Sequence, residues 1–361
     1  MLIYIVVFAM VACFSLFTAL LPFNSRSKTL LFAICIITFW LVSILRWETG
    51  TDWDSYYNFF SNNTSLQEFN RELFEPIFTC INYLIKLQGF HYSILLFVFG
   101  TFIYTLSSST IYRYSPLPIV SLLLYLLIRQ ADMLFVRESI ALAILFFSTK
   151  FIVERNPLKF ISAIVLASGF HYSAIIFIPA YYIYSQHFDL KKILYMLAGV
   201  TVLSIFGKLI LIVMSNYIGG TLSWKLSAYL LNTEYDFGYD TTPQNAIISG
   251  IINRGGFLTL FYWVKTKNEG HAIINGLFNL YLISVLLFFF FVPISLALSR
   301  FVNSYEMSAI LLIGYFFQEH KIRTNKAIIL SMFIIYIFIR FYSSTLVGAY
   351  SDEYIPYRSI L

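Results

Sequence analysis

Leu2–Phe23 reads LIYIVVFAMVACFSLFTALLPF, without a single Asp, Glu, Lys or Arg. A helix rises ~1.5 Å per residue, so the run is long enough to cross a hydrocarbon core of ~30 Å. No Lys or Arg precedes Arg26. The basic n-region of a signal peptide is missing, and the run reads as a first membrane span. Outward from it, Arg26 and Lys28 form a basic link and residues 29–45 are apolar again. The alternation continues to the far end, with candidate spans at 73–87, 91–112, 117–134, 137–153, 159–184, 190–215, 246–264, 271–298, 301–317 and 327–347. The whole chain of 361 residues is 59% hydrophobic and 12% charged, with a mean hydropathy of +0.76. Soluble domains carry roughly 25% charged residues. The expected fold class is therefore an all-α polytopic integral membrane protein of about 10–12 transmembrane helices, forming one membrane domain over 1–361. A β-barrel is excluded, because its strands alternate and its lumen is polar.

The net charge of +6 does not point to nucleic acid. Its basic residues fall in short clusters between apolar runs, as the positive-inside rule expects. Arg26/Lys28, Lys191/Lys192, Lys265/Lys267 and Lys321/Arg323/Lys326 fit one orientation. That orientation leaves loops 46–72 and 216–245, and the tail from Ser351, on the outer face. The basic Lys150–Lys159 link obeys the rule only if 73–87 and 159–184 are re-entrant or broken, with their irregular backbone lining an enclosed cavity. Cys13, Cys35 and Cys80 lie in or beside apolar runs and read as small core residues. Gly-Phe-His-Tyr-Ser occurs twice, at 89–93 and 169–173. The flanks barely match, so the recurrence reads as chance, but each glycine suggests a break in an apolar run.

Chemistry needs ionisable residues, and the polar stretch Arg46-Trp47-Glu48-Thr49-Gly50-Thr51-Asp52-Trp53-Asp54-Ser55-Tyr56 holds several beside interfacial aromatics. Others lie in or at the edge of apolar runs: Glu75, Arg129, Asp132, Arg137, Glu138, His171, Arg254, Arg300, Glu306 and Arg340. Pairing is one way to neutralise them, for example Arg137 with Glu75 and Arg300 with Glu306. Arg outnumbers the acidic partners, and a surplus of guanidinium forks suits an anionic, phosphate-bearing ligand. His171 stands in an apolar setting; it is either a satisfied core residue or a general base. Asp52 and Asp54 form an Asp-x-Asp pair, but no third ligand accompanies them, so neither metal nor cofactor is expected. No phosphate-binding glycine loop, Gly-x-Ser-x-Gly or His-Glu-x-x-His motif is present. Nucleotide-sugar chemistry has no soluble domain to occupy, so a sugar donor would be lipid-borne.

The order Arg46, Gly50-Thr51-Asp52-Trp53, Tyr56, Phe60, Glu75-Pro76, Arg137, Phe170-His171-Tyr172-Ser173, Arg300-Phe301 and Ile355-Pro356-Tyr357 resembles the EpsG family, polymerases of the Wzy type that build O-antigen and exopolysaccharide. Where that pattern often reads Arg-Gln, this chain has Arg137-Glu138, which offers Glu138 as a partner for Arg137. The resemblance implies a GT-C-like membrane fold and a glycosyltransferase at the periplasmic face of the bacterial inner membrane. Such an enzyme moves a growing glycan from undecaprenyl pyrophosphate onto a new lipid-linked repeat unit. It implies an undecaprenyl-pyrophosphate-linked oligosaccharide as substrate and a chain-length regulator as a further partner. Arg46, Arg137, Arg254, Arg300, Gly50, Thr51 and Tyr56 would bind substrate and pyrophosphate. His171, Asp52 or Glu75 would deprotonate the acceptor, with His171 favoured because imidazole titrates nearest neutrality. The aromatic and acidic 216–245 loop would set specificity. A lipid-linked oligosaccharide flippase and a membrane acyltransferase are the rival classes.

Overall fold

The computed structural model describes residues 1–65, 67–68, 74–134, 137–218, 242–320, 322–348 and 351–360. Among these the chain is helical, and the only β-type pairing is an isolated bridge between Arg46 and Ser359. Among the described residues seven helices are long and apolar enough to cross a membrane. The protein is an all-α, multi-pass membrane protein, as the apolar runs require. Residues 219–241, which hold most of the expected specificity loop, lie outside the described residues.

The chain forms two compact units. The first comprises Met1–Ile178 and Ile310–Leu361. It contains α1 (Leu2–Leu20), α2 (Ser25–Ile44), α3 (Trp53–Asn62), α4 (Pro76–Leu87), α5 (Tyr92–Tyr114), α6 (Pro118–Ile128), the single turn α7 (Ala131–Leu134), α8 (Arg137–Val153) and α9 (Pro157–Ser168). Local chemistry sets several starts. Asn24 caps α2 by accepting from Ser27 N at 2.7 Å. Proline opens α4, α6 and α9, where the first-turn N–H is not needed. In this unit α1 packs on α2 and α6, α5 on α2 and α8, and α8 on α9.

Several expected spans hold no single spanning helix, those of α4 and α9 among them. α4 and α9 have 12 residues each, about 18 Å, short of a ~30 Å core. The 159–184 run breaks after Ser168 and resumes as a 3₁₀ helix, Tyr172–Phe177. The break is packed against the start of α4: Ile77 N donates to Gly169 O at 2.9 Å. A Cβ on Gly169 would lie 2.3 Å from Ile77 Cδ1, so a larger residue there would have to displace the Ile77 side chain. Both copies of the repeated pentapeptide start a helix with a His–Ser side-chain contact, although only His91 also caps through its side chain. Nδ1 of His91 lies 3.0 Å from Ser93 Oγ, and that of His171 lies 2.5 Å from Ser173 Oγ. The two histidines sit at the N-cap positions of their helices.

The second unit is Pro179–Ala309. Its α10 (Leu190–Ile218) and α11 (Pro243–Lys267) both pack on α12 (Ala272–Phe291). Back in the first unit, α13 (Ser308–Glu319), which enters it at Ile310, is followed by α14 (Arg323–Phe341).

Candidate functional site

The 46–72 segment, expected as an outer loop, contains α3. Its apolar face buries Trp53, Tyr56, Phe59 and Phe60. The three- and four-residue spacing of these aromatics is the sequence signal for that helix. The hydroxyl of Tyr56 links two carboxylates through one guanidinium. It donates to Asp52 Oδ2 at 3.3 Å and accepts from Arg137 Nε at 3.3 Å. Arg137 Nη1 in turn pairs with Glu75 Oε2. Four residues from three distant segments thus form one line: Asp52, Tyr56, Arg137, Glu75. Burial pushes the Tyr56 phenol up to about 12, although Arg137 pulls it down. Tyr56 therefore stays protonated and keeps its donor role toward Asp52.

Arg137 opens α8 and is caged by aromatic rings. Its Cζ lies 4.2 Å from the ring centroid of Phe74 and 5.6 Å from those of Tyr56 and Phe78. Its side chain is 17% exposed, while that of Glu75 is 3% exposed. The pair engages Nε and Nη1. Among the described residues Nη2 meets no hydrogen-bond acceptor, so that edge of the fork is available to an anion. Of the two partners offered by the sequence, Glu75 pairs with Arg137.

Arg46 is 1% exposed. It donates from Nη1 to Thr49 O at 2.7 Å and lies over the Trp53 ring at 5.4 Å. Burial lowers its pKa. The neighbouring tyrosines oppose that shift, and a guanidinium starting from so high a value remains charged. The chain closes around it through Gly50, which has φ +116°. A Cβ at Gly50 would come within 2.7 Å of Arg46 Nη1. Gly50→Ala should therefore lower the thermal midpoint by an amount corresponding to about 1–3 kcal/mol. A melt indistinguishable from wild type would contradict this account of the turn. Thr51 is exposed on the same turn.

The C-terminal tail completes the wall, a role that hydropathy alone did not reveal. Trp47 N donates to Arg358 O, Gly50 N to Glu353 O and Ile360 N to Leu45 O, each at 2.9 Å. Arg358 N donates to Thr49 Oγ1 at 3.1 Å, and Tyr357 OH to Val42 O at 2.9 Å. Trp47 stacks on His91 at 5.5 Å and meets Trp53 edge-on at 5.1 Å. Beside them Glu48, Asp54, Asp352 and Arg358 line a polar cavity of about 370 Å³.

His171 is half-buried. The Gly169–Ile77 bond brings its turn against the first turn of α4, which follows Glu75. Arg129 and Asp132 are buried and paired with each other, and Tyr125 OH donates to Asp132 Oδ2 at 2.6 Å. Arg254 and Arg300 belong to the second unit. There the expected pairing of Arg300 with Glu306 is corrected: Glu306 Oε1 lies 2.5 Å from Arg254 Nη1. Arg300 instead donates from Nε to Ala297 O at 3.0 Å within its own 3₁₀ turn. The 3₁₀ geometry aims the Arg300 side chain back along its own turn, so a neighbouring helix supplies the cation for Glu306.

A family model, the EpsG family, matches residues 29–359. The chain belongs to the EpsG family. The match spans every residue of the first-unit site, from Arg46 to Arg358. No curated protein and no solved structure matches the chain significantly. Membership in the EpsG family supports a polysaccharide polymerase-type role in a multi-pass membrane protein.

Proposed function

We propose that the chain is a glycosyltransferase that polymerises lipid-linked repeat units at the periplasmic face of the bacterial inner membrane. It transfers a growing glycan from undecaprenyl diphosphate onto the terminal sugar of a new unit. The observation that carries this reading is the Asp52–Tyr56–Arg137–Glu75 line in an EpsG-family chain. Its two ends suit the two halves of a glycosyl transfer.

In that transfer the bond from the anomeric carbon to the diphosphate oxygen breaks, and the oxygen keeps the electron pair. The same carbon bonds to the acceptor hydroxyl oxygen, whose proton passes to a base. The open edge of Arg137 stabilises the departing diphosphate. Glu75 holds the guanidinium in place. Asp52 is only partly buried and is aligned by Tyr56, which suits it to take the proton. His171, with Nδ1 at Ser173, is the second base candidate. Arg46 and Gly50 shape the turn that presents Asp52.

Purified protein supplied with lipid-linked repeat units should yield a polymer ladder without ATP, an acyl donor or a second leaflet. Movement of the lipid between leaflets without a ladder identifies a flippase. Dependence on an acyl donor identifies an acyltransferase. Asp52→Asn should remove the ladder while single units are still ligated to their acceptor; a normal ladder passes the base role to His171, tested as His171→Gln. Loss of activity in EDTA with recovery in Mg²⁺ or Mn²⁺ would instead assign Asp52 and Asp54 to a metal. For orientation, Asn63→Cys in a cysteine-free background should react with a membrane-impermeant thiol reagent in intact spheroplasts. Reaction only after lysis would reverse the topology.

A further inference from the structure

A long apolar groove of about 700 Å³ runs through the first unit between α4, α5, α8 and α9. Among the described residues its polar lining is Lys159 and Ser162. Along α8 it is lined from Ile140 to Phe151, a distance of ~16 Å at ~1.5 Å per residue. The residues on its rim face outward: Phe102 is 57% exposed, Leu158 77% and Leu166 46%. In a bilayer these positions meet lipid, so the groove can be entered sideways from the membrane.

One end of this groove comes within a turn of the polar site, whose own residues do not line it. Three of its lining residues stand one to three positions from a site residue. Ile140 lies one turn after Arg137 on α8, Ile77 follows Glu75 at the start of α4, and Phe170 precedes His171 at the end of α9. The groove wall also approaches the guanidinium through one ring: Phe99 meets Phe78 at 5.7 Å, and Arg137 Cζ lies 5.6 Å from the Phe78 centroid. We infer that the groove seats the polyisoprenoid chain of a lipid-linked diphosphate sugar, with its diphosphate at Arg137; this rests on the polymerase reading above. The mouth selects among lipids. A single groove ending within a turn of one fork suits one chain carrying one strongly anionic head. A diacyl phospholipid brings two chains to a single phosphate and would leave one of them outside. Lys159 lies at the opposite end, where its stem can extend along the groove while its ammonium reaches the interface.

The test uses a benzophenone-bearing polyprenyl diphosphate as a photoaffinity probe on the full chain in nanodiscs. Label should fall on peptides covering Ile140–Phe151 and Ile77–Ile81. Undecaprenyl diphosphate should compete for it, and excess phosphatidylglycerol should not. Ile144→Trp, which fills the groove, should cut labelling at least tenfold and raise KM for lipid-linked units. Val6→Trp, a substitution at an exposed position on α1 (Val6 is 56% exposed), should leave both unchanged. Size-exclusion profiles establish that each variant is folded. Should Ile144→Trp not fold, Ala163→Leu, a smaller filling of the same groove, gives the same readout. Label displaced equally by phosphatidylglycerol, or unaffected by groove filling, overturns the inference while leaving the polymerase reading intact. A labelled groove in a protein that forms no ladder would do the reverse.

Discussion

Arg137→Met should eliminate polymer formation and destabilise the protein together. The substitution leaves Glu75 as an unpaired carboxylate whose side chain is only 3% exposed. Breaking a buried pair in this way costs about 3–5 kcal/mol. Stability and chemistry are then separated by a second change. Arg137→Met with Glu75→Gln removes both charges, so the thermal midpoint should return most of the way toward wild type. The ladder should remain absent, because no guanidinium faces the diphosphate. Arg137→Lys keeps the charge but not the fork, and an ammonium cannot reproduce the planar contacts to Tyr56 and Glu75. A loss of about 10²–10³-fold in rate is expected, the size of effect seen when one donor to a developing anion is removed. If the double variant makes polymer of normal length distribution, Arg137 is a structural residue alone.

Deletion of residues 352–361 should be nearly as damaging. It removes the backbone bonds from Trp47 and Gly50 to the tail, the bond from Ile360 to Leu45, and the Tyr357 and Arg358 contacts to Val42 and Thr49. At about 0.5–1.5 kcal/mol each, their loss amounts to several kcal/mol at one turn. The helices do not depend on those bonds. Far-UV circular dichroism should therefore stay near wild type while the ladder disappears. Arg358→Ala is the contrasting variant. It removes the exposed pair with Glu48, whose side chains are 56% and 53% exposed, and should cost no more than about 1 kcal/mol. A truncated chain that polymerises normally would reduce the tail to decoration.

The residues that mattered were legible to different degrees. Asp52, Tyr56, Glu75 and Arg137 could be nominated because ionisable groups among apolar runs are expensive, and expense is visible in one dimension. The Arg137–Glu75 pair was one of two pairings suggested on that ground; Arg300–Glu306 was the other, and it was wrong. Nothing in the order Arg254, Arg300, Glu306 tells which guanidinium reaches the carboxylate. That depends on helix phase and on the 3₁₀ turn that points Arg300 back at Ala297. The breaks at Gly89 and Gly169 were readable from glycine. Their shared His–Ser start was not, because the flanking sequences differ. α3 was readable in principle from its aromatic spacing, yet the density of polar residues around it suggested a loop.

By itself the sequence determined that this is a helical membrane protein, because hydropathy is a local sum and a run such as Leu2–Leu20 has no alternative environment. It determined where charges had to be satisfied. Tertiary structure alone decided how. It set Arg137 against Glu75 across 62 residues, and folded Arg358 and Ile360 back onto Leu45–Gly50 across more than three hundred. It also placed an apolar groove within a turn of that pair. Such contacts are fixed by which helix faces meet, and short helices such as α4 and α9 bring the start of one element against the broken end of another. No periodicity along the chain encodes that meeting; it follows from packing.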